Sequence, residues 1–155
     1  MSYNIVLCNP EIPQNTGNIV RTCAVTGSRL HLIRPLGFSA DDRRLKRAGL
    51  DYWHLTPVFY YDGFEELLSQ VEDGENVYFM TPKALKTYHQ VSYREGDYLV
   101  FGGETNGLDA GLLEGHAQQC VRLPRRGDAH FLNISNAVAV VLYEALRQNE
   151  FRGLI

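Results

Sequence analysis

Phe131-Leu132-Asn133-Ile134-Ser135-Asn136-Ala137-Val138-Ala139-Val140-Val141-Leu142-Tyr143-Glu144-Ala145 opens polar and turns apolar. Asn133, Ser135 and Asn136 carry side-chain oxygens that can accept the unpaired N–H groups of a first helical turn. Ala137, Val138, Val141, Leu142 and Ala145 then recur at helical spacing. Ala139 and Val140 extend the apolar surface almost all round, so the pattern predicts a buried helix over residues 133–149. The polar knot at its start has two readings: the cap of a core helix, or one wall of a ligand site.

Upstream, strand-like and helix-like stretches alternate. Residues 3–8 read as a β-branched strand stopped by Asn9-Pro10. A helix follows over about 17–26, with Asn15 or Thr16 as its cap, Ile19, Val20, Cys23 and Ala24 as its buried face, and Gly27 as its stop. Strands are predicted over 29–34, 57–61, 76–80, 98–101 and 120–123. Helical turns are predicted over 41–48, 62–71 (Phe64, Leu67, Leu68 and Val71 inward) and 109–113. Several strands are unbroken apolar runs, which predicts a parallel sheet covered by helices on both faces. The chain reads as a single domain over residues 1–155, without repeats or linkers.

Composition excludes several classes. Of 155 residues, 45% are hydrophobic and 21% charged, an ordinary globular balance. No apolar run approaches the roughly 20 residues a bilayer span needs, and residues 1–6 lack the basic start of a secretory leader. Cys8, Cys23 and Cys120 are odd in number and far apart, which argues against a disulfide framework or a zinc site and for a reducing, cytoplasmic setting. The five histidines show no metal-ligand spacing, and no metal is expected. Net charge is −3, but the charge is segregated. Arg43, Arg44, Lys46 and Arg47 form one basic group, and Arg122, Arg125 and Arg126 form another. Such patches permit nucleic-acid binding, as does an ordinary mixed surface.

In an open α/β sheet, ligands bind beyond the carboxyl ends of the strands. Three loops rich in Gly, Asn, Ser and Thr fall there: residues 15–18, 102–107 and 124–136. Phe101-Gly102-Gly103-Glu104-Thr105-Asn106-Gly107-Leu108 is neither GxGxxG nor a Walker A loop. Its glycines let the main chain approach a ligand and present N–H and C=O groups, which suits a planar base. Arg21, placed in the second turn of its helix, lies near the positive end of the dipole, where a cation gains nothing. Contact with a phosphate or hydroxyl would explain it. No GxSxG elbow, HExxH or paired carboxylate frame is present.

Taken in order, Asn15-Thr16-Gly17-Asn18-Ile19-Val20-Arg21, then residues 101–108, then Leu123-Pro124 with Leu132-Asn133-Ile134-Ser135-Asn136-Ala137-Val138 resemble the three motifs of the SPOUT RNA 2′-O-methyltransferases. The similarity is greatest to the small TrmL (YibK-like) subgroup, which methylates the ribose of the wobble nucleotide of certain leucine tRNAs. Asn9-Pro10-Glu11-Ile12-Pro13 and Asp41-Asp42-Arg43-Arg44-Leu45-Lys46-Arg47-Ala48-Gly49-Leu50-Asp51-Tyr52 also look like that subgroup.

The resemblance implies a sheet whose C-terminal part is threaded into a trefoil knot. It implies S-adenosyl-L-methionine as cofactor (S-adenosyl-L-homocysteine as product), tRNA as substrate and a homodimer. Carried over by position, the cofactor contacts are Met80, Gly102, Glu104, Gly107, Leu123, Phe131, Leu132 and Asn133. Arg21 matches the motif-one arginine, with Asn15 and Ser135 (and Asn136) shaping the catalytic site. Tyr143 and Glu144 match helix residues that line the pocket or the dimer interface. The basic group Arg43, Arg44, Lys46 and Arg47, joined by Arg125 and Arg126, is the expected RNA surface. The chain departs from the family pattern at Phe131, where Ser is common, and in the basic loop 125–130. Two other classes fit the residues alone: a non-catalytic RNA-binding module, and a nucleotide-binding enzyme unrelated to methylation. Methylation at another tRNA or rRNA site is a further alternative.

Overall fold

The computed structural model describes residues 2–49 and 52–155; Met1, and Leu50 and Asp51 of the segment quoted above, lie outside the described residues. Seven strands form one sheet, β1 (Asn4–Cys8), β2 (Arg29–Ile33), β3 (Val58–Tyr61), β4 (Val77–Met80), β5 (Lys86–Thr87), β6 (Tyr98–Phe101) and β7 (Cys120–Arg122), in the order β3-β2-β1-β6-β4-β7-β5. Every strand pair is parallel. Among the described residues five α-helices accompany it: α1 (Pro13–Thr26), α2 (Arg43–Gly49), α3 (Phe64–Leu68), α4 (Ala110–Leu113) and α5 (Ile134–Gln148).

Successive side chains of a strand point to opposite faces, and here both faces are dry. Ile5 and Leu7 of β1 pack with Ile19, Val20 and Cys23 of α1 and Val138, Val141 and Leu142 of α5. Val6 and Cys8 pack on the other side with Leu67 of α3, Phe79, Val100 and Leu108. All five residues of β1 are buried, which is why the strand reads as a continuous apolar run.

Helix boundaries differ from the sequence reading. α1 begins at Pro13, four residues earlier than expected, with Ile12 as an extended N-cap that makes no side-chain cap bond. Proline suits the first helical position because its missing N–H has no partner to lose. Asn15 and Thr16 therefore lie inside the first turn and do not cap it. Arg21 falls in the third turn, so the dipole argument for it lapses. Gly27 is the left-handed C-cap, as expected (φ 70°). α3 ends at Leu68, leaving Leu68 37% exposed. The Ser69 hydroxyl donates to the Glu66 carbonyl at 2.6 Å as the chain turns out. α5 is not buried all round: Val138, Val141, Leu142, Ala145 and Leu146 face the sheet and α1, while Val140 and Tyr143 are exposed. β5 and three 3-10 turns were not foreseen, each being two or three residues long.

The C-terminal end of α5 is tied to the start of the chain. Asn149 Nδ2 donates to the Tyr3 hydroxyl (2.6 Å) and to the Tyr93 and Ala145 carbonyls. The Tyr3 hydroxyl in turn donates to the Ala145 carbonyl at 3.1 Å, and burial pushes its pKa up to about 12.

His31 is a buried polar group inside the sheet. Asn4 Nδ2 donates to the Gly96 carbonyl, so Asn4 Oδ1 accepts from His31 Nε2 (2.9 Å), and Tyr61 O–H donates to His31 Nδ1 (2.8 Å). Both ring nitrogens are satisfied by the neutral form. Burial, with Arg29 nearby, pushes the imidazole pKa down to about 4. The unfolded chain takes up this proton near pH 6.5, so the stability it contributes is complete above that pH and is lost as pH falls from 6.5 toward 4. Unfolding free energy from urea titrations should fall by about 2 kcal/mol between pH 7 and pH 5, and by much less in His31→Gln. An equal fall in both proteins would contradict a neutral, buried His31.

Candidate functional site

β1, β6, β4 and β7 are neighbours in the sheet, and their carboxyl ends open onto the three motif loops. β1 leads to α1 and Asn15. β6 runs straight into the glycine loop. Met80 ends β4 and pairs in register with Val121 of β7, two residues before Leu123. Met80 and Leu123 are both half-buried against the α1–α5 side of the core.

One hydrogen-bonded chain joins the loops. Glu104 Oε2 accepts the Glu11 N–H at 2.8 Å, and Oε1 accepts the Ile12 N–H (3.1 Å) and Asn15 Nδ2 (3.2 Å). Asn15 Oδ1 accepts from Asn133 Nδ2 at 3.0 Å. Asn133 Oδ1 accepts the Ser135 N–H (2.9 Å) and the Ser135 hydroxyl (2.6 Å), which makes Asn133 the N-cap of α5. Glu11 reciprocates by accepting the N–H (3.2 Å) and hydroxyl (2.7 Å) of Thr105. A carboxylate that takes three N–H groups at a helix start satisfies donors no residue of that helix caps. The Glu104 side chain thus braces the protein, leaving its main chain for a ligand.

The glycine loop folds on itself, Gly107 N–H donating to Gly103 O at 3.0 Å. A Cβ on Gly102 would run into the backbone of Gly107 and Leu108, and one on Gly103 into the Asn9 carbonyl. Gly107, at φ 65°, has open space where its Cβ would be.

Arg21 is exposed, its guanidinium 4.9 Å above the Tyr52 ring. Gly17 of α1 is pressed on Leu45 and Ala48 of α2. The Thr56 hydroxyl donates to the Val20 carbonyl at 3.0 Å, tying the segment after α2 to α1. Arg43, Arg44, Lys46 and Arg47 are exposed along α2. Arg44 is engaged by Asp42 at 3.1 Å, which holds that carboxylate below its ordinary pKa, and Lys46 lies 3.5 Å from Asp41. Among the described residues no ion pair holds Arg43 or Arg47.

The loop before α5 is built differently from an open basic strand. The Arg125 guanidinium donates to the carbonyls of Arg126, Gly127 and Ala129 (3.1, 3.4 and 2.6 Å) and sits 4.5 Å over the Phe131 ring. Arg126 pairs with Asp128 at 3.0 Å. Phe131 and Leu132 remain 62% and 54% exposed at the rim. The sequence reading gave no role to Glu11, Tyr52 or Thr105; only the chain of contacts, not local pattern, reveals them. Among the described residues no group of three or more His, Cys, Asp or Glu is placed to hold a metal ion.

Residues 2–143 match the SpoU rRNA Methylase family. The chain is 48% identical over 153 residues to the tRNA (cytidine(34)-2′-O)-methyltransferase of Escherichia coli strain K12, covering 98% of this chain and 97% of that protein. A structure solved to explain the 2-OH methylation of C/U34 on tRNA superposes with a TM-score of 0.92 at 41% identity, over 97% of this chain and 98% of the other. The fold is also that of an AdoMet-bound rRNA methyltransferase from Sinorhizobium meliloti (TM-score 0.84, 24% identity), with 94% of this chain covering 56% of that one.

The two loop glycines should respond unequally to alanine. Gly102→Ala forces backbone apart and should cost more than about 2 kcal/mol of unfolding free energy. Gly107→Ala meets only the left-handed φ penalty of about 1–2 kcal/mol. Equal losses in urea titrations would contradict the close approach of Gly102 to residues 107 and 108.

Proposed function

The chain belongs to the SpoU rRNA methylase family, and on that premise we propose that it is an enzyme that transfers a methyl group from S-adenosyl-L-methionine to the ribose 2′-hydroxyl of nucleotide 34, cytidine or uridine, of tRNA. The observation that carries the reading is the Glu104–Asn15–Asn133 chain, which gathers all three motif loops at one end of the sheet. Relatives of nearly the same length carry the same activity in their names.

The residues fit the cofactor. Gly107 leaves open space where a Cβ would be, as close approach of a purine edge and ribose requires. Met80 and Leu123 offer apolar flanks from neighbouring strands, and residues 131–133 close the rim. Bound there, the cofactor supplies a methyl group already activated on a sulfonium. The protein's part is alignment. The Arg21 guanidinium presents only N–H donors and no acceptor. It therefore orients the target phosphate and polarises the 2′-hydroxyl, and the hydroxyl proton leaves to phosphate or water. Tyr52 holds the guanidinium by stacking under it. Asn15 and Ser135 shape the same pocket through Asn133.

Arg43 and Arg47, with Arg44 and Lys46, supply the phosphate-binding surface, and leucine tRNAs are the substrates expected of the subgroup. Arg125 and Arg126 act on RNA only after leaving their own loop's carbonyls and Asp128. The interleaving of β7 between β4 and β5 supports C-terminal threading of the chain. Exposed Val140 and Tyr143 of α5, with Phe151 just after it, support a homodimer through this face, and a sedimentation mass of one chain would remove it. No helix of the described residues is long and apolar enough to cross a membrane, and a cytoplasmic site of action is part of the proposal.

Labelled cofactor, total tRNA and mapping of the modified nucleotide test the proposal. Label should appear as 2′-O-methylation at position 34 of leucine tRNAs; label elsewhere, or none, would contradict it. Arg21→Ala should lower turnover by about 1000-fold or more while calorimetric cofactor affinity stays within about twofold. Lost cofactor affinity with normal turnover at saturation would remove the role given to Arg21.

A further inference from the structure

A groove of about 670 Å³ lies away from the cofactor loops, at the carboxyl ends of β2 and β3. Its walls include Arg34, Leu36, Phe38, Tyr60 and Asp62. Arg34 N–H donates to the Tyr61 carbonyl (2.8 Å), which continues the β2–β3 pairing to the groove floor. The Arg34 guanidinium lies 5.1 Å over the Tyr60 ring and 3.2 Å from Asp62 Oδ1. Both charged side chains face solvent, Arg34 at 48% and Asp62 at 87% exposure. A flat aromatic, a planar cation and the carboxylate paired with it thus share one groove.

The groove is coupled to the reaction site through Glu11. Gly37 N–H donates to the Pro10 carbonyl at 2.9 Å, and a Cβ on Gly37 would collide with the backbone of Glu11. Glu11 is the residue that holds Thr105 of the glycine loop. β2 and β6 flank β1, so their ends stand about 10 Å apart. The wall segment runs on within three residues from Ala40 to Arg43, the start of the basic helix α2. Chain continuity thus sets the groove wall next to the basic helix given above as the phosphate-binding surface.

We propose that the groove receives one unpaired nucleobase of the RNA substrate, next to the methylated nucleotide, stacked against the Tyr60–Arg34 pair and hydrogen-bonded through an exocyclic amine to Asp62. The inference rests on the reading of the substrate given above. Stacking on aromatic rings and guanidinium planes is how splayed-out bases are held. A carboxylate accepts from the amino group of cytosine, adenine or guanine but finds no such donor on uracil. Asp62 would repel a phosphate, so the groove suits a base and leaves the phosphates to α2.

The test uses anticodon stem-loop hairpins in which each nucleotide flanking the methylated one is made abasic in turn. The wild-type protein should bind one abasic hairpin roughly tenfold more weakly than the intact one, the scale of one base–aromatic stack. Tyr60→Ala should lose the same amount on the intact hairpin and be indifferent to the abasic change, while Tyr60→Phe keeps wild-type affinity. Asp62→Asn should reduce discrimination against uracil at that position. Calorimetric affinity for S-adenosylmethionine should be the same in all four proteins. Equal losses by Tyr60→Ala on intact and abasic hairpins, or no loss, would overturn the groove while leaving the methyltransferase reading intact. Failure of the wild-type protein to bind or methylate the intact hairpin would overturn both.

Discussion

Three N–H groups converge on the Glu104 carboxylate at the end of β6, two from the main chain of Glu11 and Ile12 and one from the side chain of Asn15. α1 has no cap of its own, because proline stands at its first position and Ile12 precedes it. A charge-assisted acceptor from the loop after β6 takes the N–H groups that precede the helix. Negative charge there is also favoured by the dipole of α1. Removing the carboxylate would strip three donors of their partner at once, a larger loss than one exposed ion pair supplies. Because Asn15 turns its oxygen to Asn133, the same contact fixes where α5 begins.

The remainder of the molecule makes that junction rigid. β1 and β6 are buried on both faces. α1 and α5 share one apolar layer, and Asn149 anchors the far end of α5 to Tyr3. The polar turn at Asn133 is therefore held from behind by packed side chains and from in front by Asn15. A site made of loops gains the precision of the elements that launch them.

Much of this was legible in the sequence. Unbroken apolar strands predicted a doubly covered parallel sheet, because only burial on both faces removes the polar alternation. Of the three capping candidates Asn133, Ser135 and Asn136, Asn133 is the N-cap, and the other two lie inside the first turn. Gly27 stands at the left-handed stop expected of it. The reading places the start of α1 too late because the N–H groups ahead of Pro13 are held by Glu104, 93 residues from Glu11, and no local pattern carries such a signal. The buried-helix reading of α5 overshot, since apolar periodicity does not say whether Val140 and Tyr143 meet the sheet or lie bare. Arg125 and Phe131 were visible as departures from a pattern. That they stack on each other, with Arg125 turned onto its own loop, depends on a loop shape that charge counting does not contain. The Arg34–Tyr60 groove draws on two segments whose proximity comes only from β2–β3 pairing.

The central claim is that the glycine loop and the last helix act on the ligand as one unit through Asn15. A double-mutant cycle measures this most directly: Glu104→Ala, Asn133→Ala and the double variant, each titrated with S-adenosylmethionine by calorimetry. If Asn15 couples the two loops, the double variant loses less affinity than the summed single losses, by about 1 kcal/mol or more. Strictly additive losses would show that the two loops hold the cofactor independently, and would contradict the account.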